Sequence, residues 1–284
     1  MRKKVLITVL TYPQPSTEYV ETVCAAGFDE DGNWIRIYPI KMRMLENGIL
    51  HKWNWYEFDV SKRPAHHDFR KESYHCDAEP DGKTLGTLTA NAKDGWRERK
   101  ERTIDKGKIY TSMDQLLSDS DPKKRNFISL ATFKPQRIVD LEITKWDVKK
   151  THEVFNKKIA IMEKEQQAPA LFSDMDIPSY FQMAETIPYQ FNYVFEDDKG
   201  KRCSLMIEDW ELFSLFRKYY RSNEENYEQA VRQVRTKYLD EFKEKDLYLF
   251  LGTRFNDHRR NWKNPYALIG FFYPPYTDQL TLGF

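Results

Sequence analysis

The chain has 284 residues, which is enough for one large domain or two domains of ordinary size. Its 45 lysines and arginines nearly balance 44 aspartates and glutamates, and the formal net charge is +1. The overall charge therefore neither favours nor excludes a nucleic-acid partner, and any basic site must be a local patch. The three cysteines are widely spaced, and no apolar run approaches the roughly 20 residues of a membrane span. We expect a cytoplasmic protein without disulfides and without a membrane partner.

Three short strands are predicted at the start of the chain. The β-branched apolar run from Lys3 to Leu10 is typical of a strand, and the run from Glu21 to Pro39 reads as a hairpin. Gly27 and the tip Asp31-Gly32-Asn33 are expected to supply the positive φ angles that the hairpin needs. Short strands joined by such turns indicate a small OB-like β-barrel, a fold that often binds polymers.

The rest of the first region, residues 1–150, is predicted to be β-rich. Further strands are expected at Trp53 to Val60, Phe127 to Phe133 and Arg137 to Thr144. The spacing of Ser112 and Gln115 predicts a capping box that begins a short helix. A connecting segment, 151–187, follows this region and includes a predicted helix from Phe155 to Glu165.

Residues 188–284 are predicted to form an α+β domain. The alternating aromatic residues after Pro188 indicate a hairpin, and Asp209 is the expected N-cap of a helix from Trp210 to Arg221. Ser222 and Glu225 fit a capping box for a second helix, and two apolar strands surround a polar loop near the C-terminus. The predicted fold class is therefore α+β, with an OB-like β-barrel region followed by an antiparallel sheet with two helices.

The opening residues carry a resemblance to a known family. Cys24 and Gly27, then Gly32, Trp34, Ile35, Arg36 and Pro39 form a Cys-x-x-Gly element followed by a Gly-x-Trp-Ile-Arg-x-x-Pro strand. This pattern resembles the dual OB-like domain proteins of bacteria over at most the first half of the chain. Residues 12–16 depart from the pattern, because a more basic loop is usual there. The resemblance implies nucleic-acid recognition in a bacterial defence or mobile-element context.

Arg36 and its aromatic neighbours are the first candidate nucleic-acid contacts. Tyr38 and Trp53, with Trp34, Trp55 and Tyr56, could form a face that stacks bases while Arg36 binds a phosphate. The alternative is that Trp34 and Trp55 fill the barrel interior while Arg36 pairs with an acid such as Glu21.

The polar loop near the C-terminus is the second candidate. It is the best local basic patch of the sequence, with an expected position at the tip of a hairpin. An ordinary solvated loop has a similar composition. The candidate contacts in this loop are Arg254, His258, Arg259, Arg260, Trp262 and Lys263.

Glu208, Asp209 and His258 are the candidates for catalysis. Glu208 and Asp209 lie at the start of a predicted helix and could act with Arg254 or His258, although helix capping alone would explain Asp209. Cys24 is more typical of an inert buried thiol than of a nucleophile. The pairs His66-His67 and His75-Cys76 lack the spacing of a zinc site, and neither a metal nor a cofactor is expected.

Three functions stay open on the sequence. The preferred hypothesis is a nucleic-acid-recognition protein. The alternatives are an enzyme that acts on nucleic acid or nucleotides, which requires Glu208 or Asp209 to meet Arg254 or His258 in one pocket, and a protein-interaction scaffold that uses exposed aromatic residues.

Overall fold

The computed structural model describes residues 1–16, 20–78, 82–145 and 187–276. The predicted helix from Phe155 to Glu165 lies outside them, as does the connecting segment up to residue 186. Within the described ranges, every helix is too short or too polar to cross a lipid bilayer.

The N-terminal strands form a closed five-stranded barrel. The elements of this part are β1 (Arg2–Leu10), β2 (Gln14–Ser16), β3 (Val20–Phe28), β4 (Trp34–Lys41), α1 (Arg43–Glu46), β5 (Asn54–Ser61), β6 (Ser73–Cys76), β7 (Gly86–Thr87) and α2 (Arg97–Arg102). The barrel order is β1-β3-β4-β6-β5, and β5 closes the barrel by pairing with β1. All of these pairs are antiparallel except β4 with β6.

The first strand is apolar throughout because both of its faces are covered. Val5 and Ile7 point into the barrel core, and an irregularity in the β1–β3 register between Ile7 and Val9 then turns Val9 outward into a second cluster. Side chains alternate between the two faces of a strand, so an apolar run without alternation is what a strand buried on both sides requires. The outer wall of the barrel is therefore a packing surface as well.

Two sheets and several helices make up the rest of the described chain. These elements are β8 (Ile109–Tyr110), α3 (Met113–Asp119), β9 (Leu130–Phe133), β10 (Arg137–Lys145), β11 (Tyr189–Glu196), β12 (Arg202–Met206), α4 (Trp210–Ser222), α5 (Tyr227–Arg235) with a π-helical continuation at Thr236–Glu241, β13 (Tyr248–Thr253), α6 (Phe255–Arg259) and β14 (Tyr266–Phe272). One sheet has the antiparallel order β10-β11-β12, and the other has the order β14-β13-β9-β8.

The predicted α+β class, with a small barrel followed by an antiparallel sheet, is confirmed. The strands predicted at Phe127 to Phe133 and Arg137 to Thr144 correspond to β9 and β10. They pair with the C-terminal strands β13 and β11 respectively. The predicted domain limits at 150 and 187 stay predictions, because residues 146–186 lie outside the described ranges.

Two expectations about turns and caps need correction. Gly32 has the expected positive φ of 85°, but Gly27 does not have one. A Cβ atom at Gly27 would lie 1.8 Å from the carbonyl oxygen of Leu6, so this position needs glycine because β1 passes so close to β3. Ser112 makes no side-chain cap bond, and the backbone N–H of Met113 donates instead to the buried carboxylate of Asp197 at 3.0 Å.

The start of α5 also differs from the prediction. The N-cap is Asn226, whose side chain accepts from the backbone N–H of Gln229 at 3.0 Å. Glu225, the expected partner in a capping box with Ser222, has a φ of 60°, and Glu224 has a φ of 54°. The chain therefore turns sharply between the two helices, and α5 begins later than the Ser-x-x-Glu spacing predicts.

The barrel packs against the β13–β14 face of the C-terminal sheet. Phe28 and Val9 of the barrel wall share a buried cluster with Phe250 and Phe272. Trp34 lies in the same cluster, with its ring 4.1 Å from the ring of Phe28 and 5.2 Å from that of Phe250. Trp34 thus does not fill the barrel interior; it is partly buried, because the C-terminal sheet packs on the wall on which it lies.

Candidate nucleic-acid interface

A cavity of about 660 Å³ lies beside this junction, with walls from both halves of the chain. Barrel strands β3, β4 and β6, the loop before β6, the start of α4, and the β13–α6 segment all contribute side chains. The polar and aromatic residues that line it are Thr11, Thr22, Cys24, Arg36, Tyr38, Arg63, His67, Asp68, Arg70, Ser73, Tyr74, His75, Glu208, Thr253, Arg254, Phe255, Asn256 and Asp257. A cavity of this size is within the range of ordinary ligand pockets.

Arg36 lies at the inner wall of the cavity and is only 3% exposed. Its Nη1 donates to the hydroxyls of Ser129 and Ser73 at 2.7 and 3.1 Å, and its Nη2 donates to the carbonyl oxygen of Ser129 at 3.2 Å. No carboxylate of the described residues forms an ion pair with Arg36; the nearest link is Glu72, which accepts from the backbone N–H of Ser129 at 2.7 Å. Burial, with the neighbouring charge of Arg70, lowers the pKa of Arg36.

The expectation that the barrel displays Arg36 to the outside is therefore wrong. The alternative of an ion pair with Glu21 is not tested, because the side chain of Glu21 is not described. The physical reason for the burial is the packing of the C-terminal sheet on the barrel wall, which encloses the guanidinium between β4 and the segment before β9.

Arg70 stands beside Arg36 and is also buried. Its Nε and Nη2 each donate to a different oxygen of Asp68 at 2.8 Å, and its Nη1 donates to the carbonyl oxygen of Thr253 at 3.0 Å. Burial alone would raise the pKa of Asp68, but the bonds and charge of Arg70 outweigh it and hold the pKa below its usual value. This fork links the loop before β6 to the end of β13.

Cys24 faces the same cavity, but its thiol is not activated as a nucleophile. Burial raises the pKa of its thiol despite the nearby charges of Arg36 and Arg70, so the neutral form is favoured. Its backbone N–H donates to the hydroxyl of Thr11 at 3.0 Å. This position agrees with the expectation of an inert thiol.

Glu208 and Arg254 converge in the cavity, as the enzyme hypothesis requires. Nε of Arg254 lies 2.7 Å from Oδ2 of Asp257 in an ion pair, but this nitrogen has no hydrogen-bond partner among the described residues. Burial raises the pKa of Glu208, with Arg254 lowering it and Asp257 raising it further. A carboxyl group and a guanidinium that lie 46 positions apart in the chain therefore share one site.

Asp209 has a different role. It caps α4 by accepting from the backbone N–H of Glu211 at 3.3 Å, which confirms the predicted cap. Its Oδ1 also accepts from the buried ammonium of Lys52 at 2.7 Å. Burial raises the pKa of Asp209 to about 6 against the opposing charge of Lys52. Asp209 does not line the cavity, so it joins the barrel to α4 rather than joining Glu208.

The candidate residues of the C-terminal loop differ in exposure. His258 is buried, with Nε2 2.6 Å from the carbonyl oxygen of Ser120 and Nδ1 3.1 Å from the hydroxyl of Thr253. Because a carbonyl can only accept, Nε2 carries the proton and Nδ1 accepts from Thr253. His258 thus holds α6 in place and does not line the cavity. The exposed candidates of this loop are Arg259, Arg260, Trp262 and Lys263.

The two aromatic candidates of the barrel lie apart. Tyr38 lines the cavity, is 42% exposed, and its hydroxyl accepts from Thr22 at 3.1 Å. Trp53 is elsewhere, and its ring packs at a tilt of 43° against Phe272 and lies 4.3 Å from the guanidinium carbon of Arg99. Tyr38 and Trp53 therefore do not form one continuous stacking face.

Several cavity residues escaped the sequence reasoning, chiefly Arg63, Arg70 and His75. Arg63 and Arg70 belong to a polar stretch between β5 and β6 without periodicity, and His75 lies in the short strand β6. No local signal distinguishes them from solvated loop residues. In the described part of the chain, no group of histidine, cysteine and acidic residues has a geometry that could hold a metal ion.

Comparison with known families divides the chain in two. Residues 1–105 match a domain of unknown function, DUF8758, and residues 109–283 match a second one, DUF8757. The second match covers more than half of the chain. The chain belongs to the DUF8757 family. No curated protein matches the sequence. The barrel in the DUF8758 part is compatible with an OB-like fold, but these matches do not support membership of the dual OB-like family.

Proposed function

We propose that this protein recognises nucleic acid and binds a phosphate group in the junction cavity. One observation carries the proposal: the buried guanidinium of Arg36 faces the cavity without an ion-pair partner in the described part of the chain. Its hydrogen bonds go to two serine hydroxyls and one carbonyl oxygen, which are uncharged. A buried cation without a counter-charge is unfavourable, and an anionic ligand would supply one.

His75 adds a buried donor without a partner in the described ranges. Nη2 of Arg63 lies 3.1 Å from Nε2 of His75 and must donate to it, which leaves the ring proton on Nδ1. That Nδ1 is buried and has no partner among the described residues. A phosphate offers several acceptor oxygens at once, and guanidinium groups bind it with directed hydrogen bonds. The chemistry of the cavity therefore fits a phosphate better than a neutral ligand.

Aromatic side chains supply the second half of a nucleotide site. Tyr38, Tyr74 and Phe255 line the cavity together with the cationic residues. A nucleotide has an anionic phosphate and a flat base, and base–aromatic stacking contributes about 1–3 kcal/mol per base. Rings and guanidinium groups in one cavity favour a nucleotide unit over inorganic phosphate alone.

The exposed cations of the C-terminal loop extend the site outward. The guanidinium carbon of Arg259 lies 5.3 Å from the ring centroid of Phe255, which is a cavity residue. Arg260 and Lys263 follow on the same exposed loop, close to Trp262, which is 53% exposed. A strand that leaves the cavity past Phe255 would meet these charges, which suit phosphate contacts that set position.

The test measures binding of labelled single-stranded DNA, single-stranded RNA and duplex by fluorescence anisotropy between 50 and 200 mM salt. We expect affinity to fall steeply with salt, with a log–log slope of about −0.7 per phosphate contacted on a single strand. The double variant Arg259→Ala, Arg260→Ala should bind at least tenfold more weakly. The matched control Arg97→Ala, Arg102→Ala removes two exposed arginines of α2 and should change affinity less than twofold. Failure to bind every one of these nucleic acids at low salt overturns the proposal.

An enzyme that acts on nucleic acid or nucleotides is the second candidate. The convergence of Glu208 and Arg254 favours it, because a carboxyl group whose pKa is raised by burial suits a general acid. Incubation with oligonucleotides and nucleotides, followed by mass spectrometry, tests for a product that Glu208→Gln fails to make. The bacterial defence or mobile-element context belongs to the proposal only through the resemblance of the opening residues, and the scaffold hypothesis stays a prediction.

A further inference from the structure

Glu208 is held rigidly at the cavity wall. It lies between β12 and α4, and its backbone N–H donates to the carbonyl oxygen of Leu268 at 2.8 Å. Its own carbonyl oxygen accepts from the backbone N–H of Tyr12 at 2.7 Å. Both backbone polar groups are thus used, one toward β14 and one toward the barrel. Only the side chain is left to meet a ligand.

The carboxyl group of Glu208 has no hydrogen bond from any residue in the described ranges. Arg254 is the nearest cation that acts on it, but Arg254 is already engaged with Asp257 at 2.7 Å. The oxygens of this carboxyl group are open to the cavity, where a bound molecule that supplies N–H groups would meet them. A ligand that fits the cavity should therefore supply hydrogen-bond acceptors to its cations and two hydrogen-bond donors to Glu208.

Nucleic-acid bases differ in whether they can supply two neighbouring hydrogen-bond donors to Glu208. On its Watson–Crick edge, guanine carries two neighbouring donors, N1–H and the N2 amino group, which match the two oxygens of a carboxylate. Adenine and cytosine place an acceptor nitrogen beside their amino group, and uracil or thymine flanks its one N–H with two carbonyls. Acceptors in those positions would repel a carboxylate.

We propose that Glu208 is the specificity-determining residue of the cavity and accepts two hydrogen bonds from an unpaired guanine. The inference rests on the proposed nucleic-acid function, with the phosphate of the same nucleotide near Arg36 and Arg254. The edge that Glu208 reads is occupied in a duplex. The ligand is therefore a guanine in a single strand, or one extruded from a helix into the cavity.

The experiment compares four single-stranded oligonucleotides that are identical except for one central base in an otherwise abasic or thymine background. We expect the full chain to bind the guanine form at least tenfold more tightly than the adenine, cytosine and thymine forms. In Glu208→Gln, the side-chain amide presents one acceptor and one donor, and each of the four bases has a neighbouring donor and acceptor on its Watson–Crick edge that can meet this pair. That variant should therefore lose the guanine preference. The control Glu98→Gln, on the exposed surface of α2, should keep it.

Each outcome separates this inference from the proposed function. If the four oligonucleotides bind with equal affinity, the proposed recognition of guanine is wrong. The proposed nucleic-acid recognition is not affected by that result. A guanine preference that survives undiminished in Glu208→Gln overturns the assignment of this residue. If the variant fails to fold, thermal stabilisation of the unmodified chain by the four nucleoside monophosphates supplies the comparison, and no greater stabilisation by the guanine nucleotide counts against the inference. Absence of binding to all nucleic acids removes both proposals.

Discussion

The guanidinium of Arg36 donates to the hydroxyl of Ser129 at 2.7 Å, across the junction between the barrel and the C-terminal sheet. The two residues lie 93 positions apart. A second bond joins Nη2 of Arg36 to the carbonyl oxygen of Ser129 at 3.2 Å. The side chain that lines the cavity is therefore also the one that connects its two walls, so ligand affinity and the packing of the two halves depend on the same group.

We expect Arg36 and Ser129 to be energetically coupled. Arg36→Lys keeps the charge but loses the planar fork, and should lower the free energy of unfolding by about 1–3 kcal/mol because buried hydrogen bonds lose their donors. Ser129→Ala should lower it by about 1 kcal/mol or more. In a double-mutant cycle measured by urea unfolding, the coupling energy should be about 1–2 kcal/mol. Effects of the two substitutions that add to within about 0.5 kcal/mol would contradict a direct interaction.

His258 should make stability depend on pH. Burial lowers the pKa of His258 below its ordinary value of 6.5, and the charges of Arg70 and Arg36 act in the same direction against the bond to Ser120. The unfolded state therefore binds more protons just below pH 6.5, so stability rises with pH in that window. The contribution of the neutral imidazole is fully present above pH 6.5 and is lost as the pH falls through the lowered value.

The measurement compares urea unfolding of the unmodified chain and of His258→Gln at several pH values from 7.5 to 5. The difference in free energy of unfolding between the two proteins should shrink on acidification, with a slope of at most about 1.4 kcal/mol per pH unit for one proton. A difference that stays constant over this range would show that the imidazole does not titrate differently in the two states.

Gly27 and Gly107 offer a matched pair of substitutions. A Cβ atom at Gly27 would lie 1.8 Å from the carbonyl oxygen of Leu6, whereas one at Gly107 would lie 3.7 Å from the carbonyl oxygen of Thr103, which is an ordinary contact. Gly27→Ala should therefore force β1 and β3 apart and cost about 3 kcal/mol or more, or prevent folding. Gly107→Ala should change stability by less than about 1 kcal/mol.

Circular dichroism during thermal unfolding and the yield of folded protein measure the two glycine variants side by side. A Gly27→Ala protein that unfolds at the temperature of the unmodified chain would argue against the close approach of β1 to β3. Loss of stability in Gly107→Ala alone would reverse the expected order and count against the described backbone at both positions.

The secondary structure was largely predictable, because the patterns that specify it are local. Alternation predicted the hairpin that became β11 and β12, and Asp209 predicted the start of α4. The prediction of a helix cap failed where a residue distant in the sequence, rather than the neighbouring serine, accepts the N-terminal hydrogen bond. Ser112 has the spacing of a cap, yet the N–H of Met113 bonds to Asp197, a residue 84 positions away.

The candidate site was predictable in its parts but not in its arrangement. Arg36, Glu208 and Arg254 each stood out by residue type, while Arg70 and His75 did not. The sequence indicated an exposed Arg36, whereas the packing of Phe28 against Phe250 encloses that wall of the barrel. Exposure depends on which surface another part of the chain covers, and no pattern within β4 encodes that choice.

By itself, the sequence determined the barrel strands β1, β3, β4 and β5, the C-terminal hairpin and the capped helix α4, because backbone preferences and hydrophobic alternation act over a few neighbouring residues. Only the tertiary structure decided that Arg36, Glu208 and Arg254 share one cavity. Their convergence follows from burial of the outer barrel wall on the C-terminal sheet, and that burial depends on the summed apolar area of two distant surfaces rather than on any local run of residues.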